Sequence, residues 1–394
     1  MLATQGHIRV AIVVTRFIAG AGGVALRGAL ALDRDRFSVT ILAGHEGDLL
    51  DDAAQAGFDV VRLRHMRPDI APRSDMSAIR EVADHLEVGG YDVVHTHSAK
   101  AGLIGRVAAR WQRVPAIVHT FHGFPFHPYQ SRARRAAYIA IERALGHITD
   151  RFLAVGSAVA ADAIRLGIAP AERIRAIGSA IDHVPQATTS SRSEARKKLG
   201  LPAAARVVGT VGRLDFQKAP ADMLAAFGKL SRDVHFAWIG GGPMQADMTR
   251  KIAALGVGDR FHLLGERREV ADLLPALDVF AMASLYEGIP CSVVEAMECG
   301  IPVVATAVNS VPEIVVPGRT GLLVAPASPA QLGAAIQHLL DHPDLGQRLT
   351  TAARENLGDR FDVRVLGDDL TETYLSALRS AARVTSIAPM AWSA

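Results

Sequence analysis

Along this chain, short apolar, β-branched runs take turns with longer stretches in which apolar residues recur at helical spacing. Residues 8–15 read as a buried strand and lead through Gly20, Gly22 and Gly23 into a helix over 24–32. Strands follow over 37–43, 60–63, 91–96, 116–120 and 151–155, with helices between them over 47–56, 75–86, 100–111 and 132–145. The pattern breaks at 187–194, a polar run without periodicity that reads as a linker. A second alternation then predicts strands over 206–211, 235–239, 261–264, 279–282, 302–305 and 321–324. Its helices fall over 219–230, 244–255, 270–276 and 292–299, and three more close the chain over 329–340, 345–356 and 363–382. Strands alternating with helices predict parallel sheets with helices on both faces. The fold class expected is α/β, with two Rossmann-like domains over 1–187 and 188–362. Open parallel sheets bind ligands beyond the carboxyl ends of their strands, so the site is expected there, in a cleft between the two domains.

Bulk properties narrow the function classes. A chain of 394 residues suits two cores rather than one, and 49% hydrophobic with 21% charged residues is the balance of a globular enzyme. The net charge of +3 divides into +4 up to Ser190 (22 Lys and Arg against 18 Asp and Glu) and −1 beyond it (21 against 22). That mild asymmetry lacks the clustered basic stripe of a nucleic-acid binder. Cys291 and Cys299 supply no disulfide framework, which fits a reducing compartment. Residues 1–7 show no signal-peptide pattern, and no apolar run reaches the length of about 18 residues that a membrane span needs. The location expected is cytoplasmic.

Five segments carry candidate chemistry. In Glu287-Gly288-Ile289-Pro290-Cys291-Ser292-Val293-Val294-Glu295, a Gly/Pro loop joins a strand to a helix. Backbone N–H groups at such a start bind hydroxyls or anions, and two carboxylates flanking the turn accept from vicinal sugar hydroxyls; acids at a helix N-terminus also serve the helix dipole alone. Gly212-Arg213-Leu214-Asp215-Phe216-Gln217-Lys218 places two cations after a strand end, where an Arg fork and a mobile Lys suit a diphosphate or are solvated loop charge. Gly240-Gly241-Gly242-Pro243 permits close backbone approach to a ligand, or is a tight turn. Gly20-Ala21-Gly22-Gly23 is not a dinucleotide fingerprint, because Ala25 stands where the third glycine belongs, although a helix start that meets a phosphate stays open. Finally, His95, His97, His119, His122 and His127 form a cluster, the first four following or ending strands and His127 reading equally as a loop histidine without a role; their companions are Thr, Ser, Phe and Gly rather than carboxylates, which favours hydrogen bonding over metal ligation. Asp33-Arg34-Asp35 has the form of a metal-binding Asp-x-Asp but precedes a strand instead of ending one.

Taken together, these motifs resemble the retaining glycosyltransferases of family 4, which have the GT-B fold, and look like their bacterial exopolysaccharide and lipid-linked glycan members. The match rests on Gly212-Arg213 with Lys218, Gly240 to Pro243, Glu287-Gly288-x-Pro290 with Glu295-Ala296, Val303 to Thr306, Pro312-Glu313 and Gly318-x-x-Gly321. His95-Thr96-His97-Ser98-Ala99-Lys100-Ala101-Gly102 and His119-Thr120-Phe121-His122-Gly123 extend it into the first half. The chain departs from the family pattern in two places: the aromatic Tyr286 precedes Glu287, and Ala219 follows Lys218 where a glycine is usual.

The resemblance implies transfer of a hexose-type sugar from a nucleotide diphosphate donor, UDP by family habit, to a hydroxyl of a glycan or lipid-linked acceptor in polysaccharide biosynthesis, without a metal cofactor. It implies that Arg213 and Lys218 bind the diphosphate, that Glu287 and the N–H groups of Gly288, Ile289, Pro290 and Cys291 hold the transferred sugar, and that Glu295 accepts from the ribose. Gly240 and Gly241 would line the donor site, Gly22 and Gly23 would meet phosphate or acceptor, His122 would contact the donor sugar, and Leu264 and Arg267 would flank the base. The final helix, about 363–383, would cross back onto the acceptor-side domain. A nucleotide-sugar epimerase and a non-catalytic nucleotide-sugar binding subunit are the competing readings. The stretch from Arg132 to Arg143, with Arg134, Arg135, Tyr138, Ile139 and Ile141, reads as a basic amphipathic helix. It either lies on the anionic inner face of a membrane or is a solvated face over an ordinary core.

Overall fold

The inner strands of this protein are buried on both faces because both faces of each sheet are covered there. In β1 (Ile8–Val14) every residue from Val10 onward is buried, the continuous pattern that a parallel strand under two helical layers requires. The computed structural model describes residues 7–18, 20–44 and 47–387. They form two units, one from the chain up to Ala180 together with the segment from Arg360, the other from Ile181–Asp359.

In the first unit β1 is followed by α1 (Ala21–Ala31), β2 (Phe37–Gly44), α2 (Leu49–Gln55), β3 (Asp59–Leu63), α3 (Pro72–Gly89) and β4 (Val93–His97). Then come α4 (Ala99–Trp111), β5 (Ala116–Phe121), α5 (Arg132–Gly146), β6 (Arg151–Ala154), α6 (Ser157–Arg165) and β7 (Ile174–Ala176). The sheet order is β3-β2-β1-β4-β5-β6-β7, parallel throughout. The sequence pattern missed α6 and β7. A three-residue edge strand is too short to show a period.

The second unit runs α7 (Thr189–Leu199), β8 (Arg206–Val211), α8 (Pro220–Phe227), β9 (Val234–Ile239), α9 (Gln245–Ala254), β10 (Phe261–Leu263) and α10 (Val270–Leu273). It continues through β11 (Val279–Met282), α11 (Cys291–Cys299), β12 (Val303–Thr306), β13 (Leu322–Val324), α12 (Pro329–Asp341) and α13 (Pro343–Leu357). Its parallel sheet has the order β10-β9-β8-β11-β12-β13. In each sheet the direction of winding reverses once, between β1 and β4 and between β8 and β11. Such a switch point opens a crevice at the carboxyl ends of the two strands.

The expected linker at 187–194 is instead the start of α7. Thr188 Oγ1 accepts from Ser191 N at 3.2 Å while Ser191 Oγ accepts from Thr188 N at 2.9 Å, a capping box that starts the helix. Its polarity misled because Arg192 and Arg196 are anchors: both pair with Asp278, whose carboxylate also accepts from Val207 N at 2.7 Å. The final helix α14 (Val363–Ile387) belongs to the first unit and packs on α1 and β5. Two glycines make that crossing close. A Cβ at Gly28 would lie 2.8 Å from Leu370 Cδ1, and one at Gly367 would lie 2.7 Å from Ala31 O.

Candidate functional site

The carboxyl end of β8 leads directly into the Arg213–Lys218 loop, and the loop is built from backbone contacts. Gly212 N donates to Ile239 O at 3.0 Å, Leu214 N to Gly241 O at 2.7 Å, and Trp238 Nε1 to Gly212 O at 3.0 Å. The glycines at 240–242 allow this. A Cβ at Gly240 would stand 2.2 Å from Gly212 O, and one at Gly242 2.4 Å from Leu214 O. Their close approach is thus to the neighbouring loop. Gly241 is less constrained, a Cβ there first meeting the Glu266 side chain at 3.1 Å. Beyond β10, Gly265 O accepts from Gly240 N at 2.8 Å and Leu264 N donates to Trp238 O at 2.9 Å. Arg267 Nε donates to Leu264 O at 3.3 Å, so Leu264 and Arg267 form the turn that flanks the glycine run.

Five side chains meet at the β8/β11 switch point. Arg213 pairs with Asp215, its Nε donating to Oδ2 at 2.7 Å, and Asp215 Oδ1 accepts from Lys218 N at 3.3 Å. Lys218 Nζ donates to Glu287 Oε1 at 2.6 Å. The two side chains are 17% and 7% exposed, whereas that of Arg213 is 51% exposed, so the pair is shielded and Arg213 faces solvent. Gln217 closes the arrangement, with Nε2 donating to Tyr286 O at 2.9 Å and to Glu287 Oε2 at 3.2 Å. The Tyr286 phenol is held above its ordinary pKa by burial first and then by the Asp215 carboxylate.

After Glu287 the buried residues Gly288, Ile289 and Pro290 lead into α11, with Pro290 at its N-cap and Pro290 O accepting from Val293 N at 3.0 Å. Pro290 has no N–H, which corrects its expected role as a donor: within this run only Gly288, Ile289 and Cys291 carry one. Glu295 is half-buried on the second turn of α11. Arg213, Lys218, Gly240, Gly241, Leu264, Arg267 and the 287–295 segment therefore share the carboxyl edge of one sheet. Gly22, Gly23 and His122 belong to the other unit. The sequence reading missed Asp215 as the anchor of Arg213, and it missed Gln217 and Asn309, whose Oδ1 accepts from Glu287 N at 2.9 Å. Only the polar character of Gln217 and Asn309, each in a loop after a strand, hinted at them.

In the first unit α1 begins after Gly20, which has φ +75, and a Cβ at Gly22 would lie 3.1 Å from the Phe17 backbone. A Cβ at Gly23 would meet the Arg27 guanidinium at 3.2 Å, and Arg27 Nε donates to Ala180 O at 2.7 Å. The histidines bond to each other and to hydroxyls. His95 shares hydrogen bonds with the Tyr374 hydroxyl through Nδ1 and with Thr120 Oγ1 through Nε2, both at 2.7 Å. His97 Nδ1 lies 2.9 Å from His122 Nε2, and His119 Nδ1 lies 2.8 Å from Thr96 Oγ1. Burial, reinforced by neighbouring imidazoles, lowers the pKa of His95 to about 3 and pushes His97 well down; burial and then the Arg106 guanidinium push His119 well down, and burial lowers that of His122 to about 4. All four are neutral at pH 7. Among the described residues no group of three or more His, Cys, Asp or Glu is arranged to hold a metal ion.

Helix α5 is capped by Ser131, whose Oγ accepts from Arg134 N at 3.3 Å. Its inner face holds Ile139, Leu145 and Glu142, the last ion-paired with the buried Arg106 at 2.8 Å. Tyr138 and Ile139 thus turn toward the core, while Arg132, Arg134, Ile141 and Arg143 are exposed and Arg135 is half-buried. No described helix is long and apolar enough to cross a membrane.

Comparison with known proteins matches residues 191–356 to the family model of glycosyl transferases group 1 and residues 19–180 to that of the glycosyl transferase 4-like domain. The chain is 31% identical over 346 residues to D-inositol 3-phosphate glycosyltransferase 1 of Catenulispora acidiphila, covering 81% of this chain and 82% of that protein. It belongs to the GT-B glycosyltransferases. This glycosyltransferase is also 29% identical over 320 residues to the UDP-Gal:alpha-D-GlcNAc-diphosphoundecaprenol alpha-1,3-galactosyltransferase of Escherichia coli, covering 78% and 82% of the two chains. Its fold is that of Anabaena Alr3699/HepE, solved with UDP and glucose, at a TM-score of 0.82, 22% identity and coverage of 94% and 100%. Membership displaces the epimerase and non-catalytic readings.

Proposed function

We propose that this glycosyltransferase moves a hexose from a UDP-sugar to a hydroxyl of a lipid-diphosphate-linked or other glycan acceptor in polysaccharide assembly, with retention of the anomeric configuration in the manner of family 4. The observation that carries the reading is the shielded Lys218–Glu287 pair at the β8/β11 switch point, with Arg213 beside it. As the bond between C1 and the β-phosphate oxygen breaks, UDP leaves with the electron pair. Cations already fixed in place stabilise that charge without a metal. Lys218 and Arg213 are the residues for it, the Lys as a point charge and the Arg as a fork. A diphosphate competes with Glu287 for Lys218, and the released carboxylate then accepts from the sugar hydroxyls. The N–H groups of Gly288, Ile289 and Cys291 donate to the sugar, and Glu295 accepts from the ribose. The acceptor hydroxyl attacks C1 on the face UDP leaves and gives its proton to the departing phosphate oxygen. The contact of His122 with the donor sugar, and that of Gly22 and Gly23 with phosphate or acceptor, follow from family resemblance.

The Escherichia coli relative named for UDP-galactose and a diphosphoundecaprenol acceptor supports both the donor and the acceptor class. Exposed Arg132, Arg134 and Arg143 on α5 suit peripheral contact with the cytoplasmic face of an anionic membrane, where such an acceptor resides. The test is a panel of UDP-, GDP- and ADP-hexoses screened by thermal shift, which a bound donor raises. Transfer to GlcNAc-diphosphoundecaprenol is then followed by NMR of the product anomer. Turnover confined to a UDP-sugar with a retained anomer is expected. Inversion would overturn the retaining assignment, and no transfer from any UDP-sugar would overturn the donor class.

A further inference from the structure

We infer that Asn309 is a positioning residue that fixes Glu287 for the donor, an assignment that rests on the reading of Glu287 given above. The strand-end segment carrying Glu287 is stapled one residue at a time. Ser284 O accepts from Thr306 Oγ1 at 2.6 Å, Leu285 N donates to Gln217 O at 2.8 Å, Tyr286 O accepts from Gln217 Nε2 at 2.9 Å, and Glu287 N donates to Asn309 Oδ1 at 2.9 Å. The ties at the Glu287 carboxylate, from Lys218 and Gln217, are the ones a diphosphate and a sugar would take over. The tie at its backbone is independent of ligand, and Asn309 makes it from 22 residues away.

Asn309 holds a left-handed backbone with φ +41 to do so. Its loop pins that conformation. Val308 N donates to Thr306 O at 2.9 Å, Val311 N to Val308 O at 3.0 Å and Glu313 N to Ser310 O at 3.1 Å, with Ser310 and Val311 fully buried. Asn tolerates this region better than most residues, yet glycine adopts it at no steric cost. On conformational grounds alone glycine is the better residue at 309. What Asn adds is the side-chain acceptor that reaches Glu287, and a strained residue beside a ligand site is where function displaces stability.

The prediction separates stability from activity. Asn309→Gly relieves the backbone and loses the acceptor, so the melting temperature stays within about 2 °C of wild type as the two effects offset. Hydrogen exchange across residues 284–290 accelerates, and kcat for UDP-galactose with GlcNAc-diphosphoundecaprenol falls about tenfold with KM little changed, as expected for a misplaced contact. Asn309→Asp keeps an acceptor at the same place and restores both the exchange protection and most of kcat. Unchanged exchange in Asn309→Gly, or an equal loss of kcat in Asn309→Asp, would overturn the assignment. So would a fall in melting temperature parallel to the fall in activity. If wild type transfers no UDP-sugar, the functional reading fails and the exchange arm still decides whether Asn309 holds Glu287.

Discussion

Lys218 and Glu287 lie 69 residues apart in the chain, yet Lys218 Nζ donates to Glu287 Oε1 at 2.6 Å where the two central strands of the second sheet end. The sequence gives each residue a separate task, the cation for a diphosphate and the acid for a sugar. In the structure each is the other's partner. Both side chains are largely shielded from water, and the pairing leaves neither shielded charge uncompensated.

That mutual dependence is measurable as coupling. Lys218→Ala leaves Glu287 shielded and unpaired, and Glu287→Ala does the same to Lys218; each is expected to destabilise the protein by about 2 kcal/mol, less than a fully buried pair because some exposure remains. The double variant removes both charges and should lose about 1–2 kcal/mol less than the sum of the singles. Urea unfolding of the four proteins checks it, and strict additivity would refute the coupling. Lys218→Ala should also lower kcat/KM for the UDP-sugar by about 100-fold or more, the scale of one preorganised charge contact.

Ala219, the residue after Lys218, stands where the family pattern has glycine, and the structure shows the cost of that departure. Its backbone is left-handed, with φ +47 and ψ 56, because the turn must end there for α8 to start. An alanine held in this region costs about 1–2 kcal/mol, of which glycine recovers part after its own entropic penalty. Ala219→Gly is therefore expected to stabilise the protein by about 0.5–1 kcal/mol in urea unfolding. A loss of stability would show that the Cβ, which is nearly buried, contributes more by packing than the backbone loses by strain.

The two Rossmann-like halves were legible in the sequence because each buried strand is a continuous apolar run closed by Gly, Pro or a polar turn. The Glu287 and Lys218 motifs were legible for the same reason: they follow such runs immediately. What stayed hidden depended on partners distant in the chain. Helix α7 looks like a linker until Asp278 is known to face Arg192 and Arg196. Gly240 and Gly242 look like ligand-facing glycines until Gly212 O and Leu214 O are found against them. Tyr138 and Ile139 look like part of a lipid-facing stripe until α5 is seen to turn them inward. Asn309 offers only its polarity as a local signal, since its partner, the amide of Glu287, lies 22 residues away in the chain.

The buried His95, His97 and His119 and the half-buried His122 of the first unit predict acid sensitivity. Burial holds His95 at about 3 and His122 at about 4, below the ordinary value of 6.5. The unfolded chain therefore binds more protons than the folded one between pH 6.5 and those values. Stability is fully present above pH 6.5 and is lost as pH falls toward 4. Linkage gives a loss of about 1.4 kcal/mol by pH 5.5 for each histidine that stays neutral. Denaturant unfolding of wild type from pH 7.5 to 5 should show this slope, and His122→Gln should flatten it. A flat wild-type profile would mean that these imidazoles titrate normally in the folded protein.

The proposed contact with a lipid surface rests on the exposed arginines of α5 and is separable from folding. Arg143 is unsuitable for the test because its Nε donates to Leu166 O at 2.5 Å, so its loss disturbs the unit itself. Arg132 and Arg134 are exposed near the helix start, and the Arg134 guanidinium touches Tyr138 alone among the described aromatic rings, 3.3 Å from its hydroxyl and 5.6 Å from its ring centre. A cation near an anionic surface contributes about 1 kcal/mol, screened by salt. Reversing both charges in Arg132→Glu/Arg134→Glu should weaken co-sedimentation with phosphatidylglycerol vesicles at least about 30-fold at low salt. Melting temperature and transfer to a detergent-solubilised acceptor should not change. Binding that survives the double reversal, or that does not respond to salt in wild type, would assign α5 to an ordinary solvated face and move any membrane contact elsewhere on the protein.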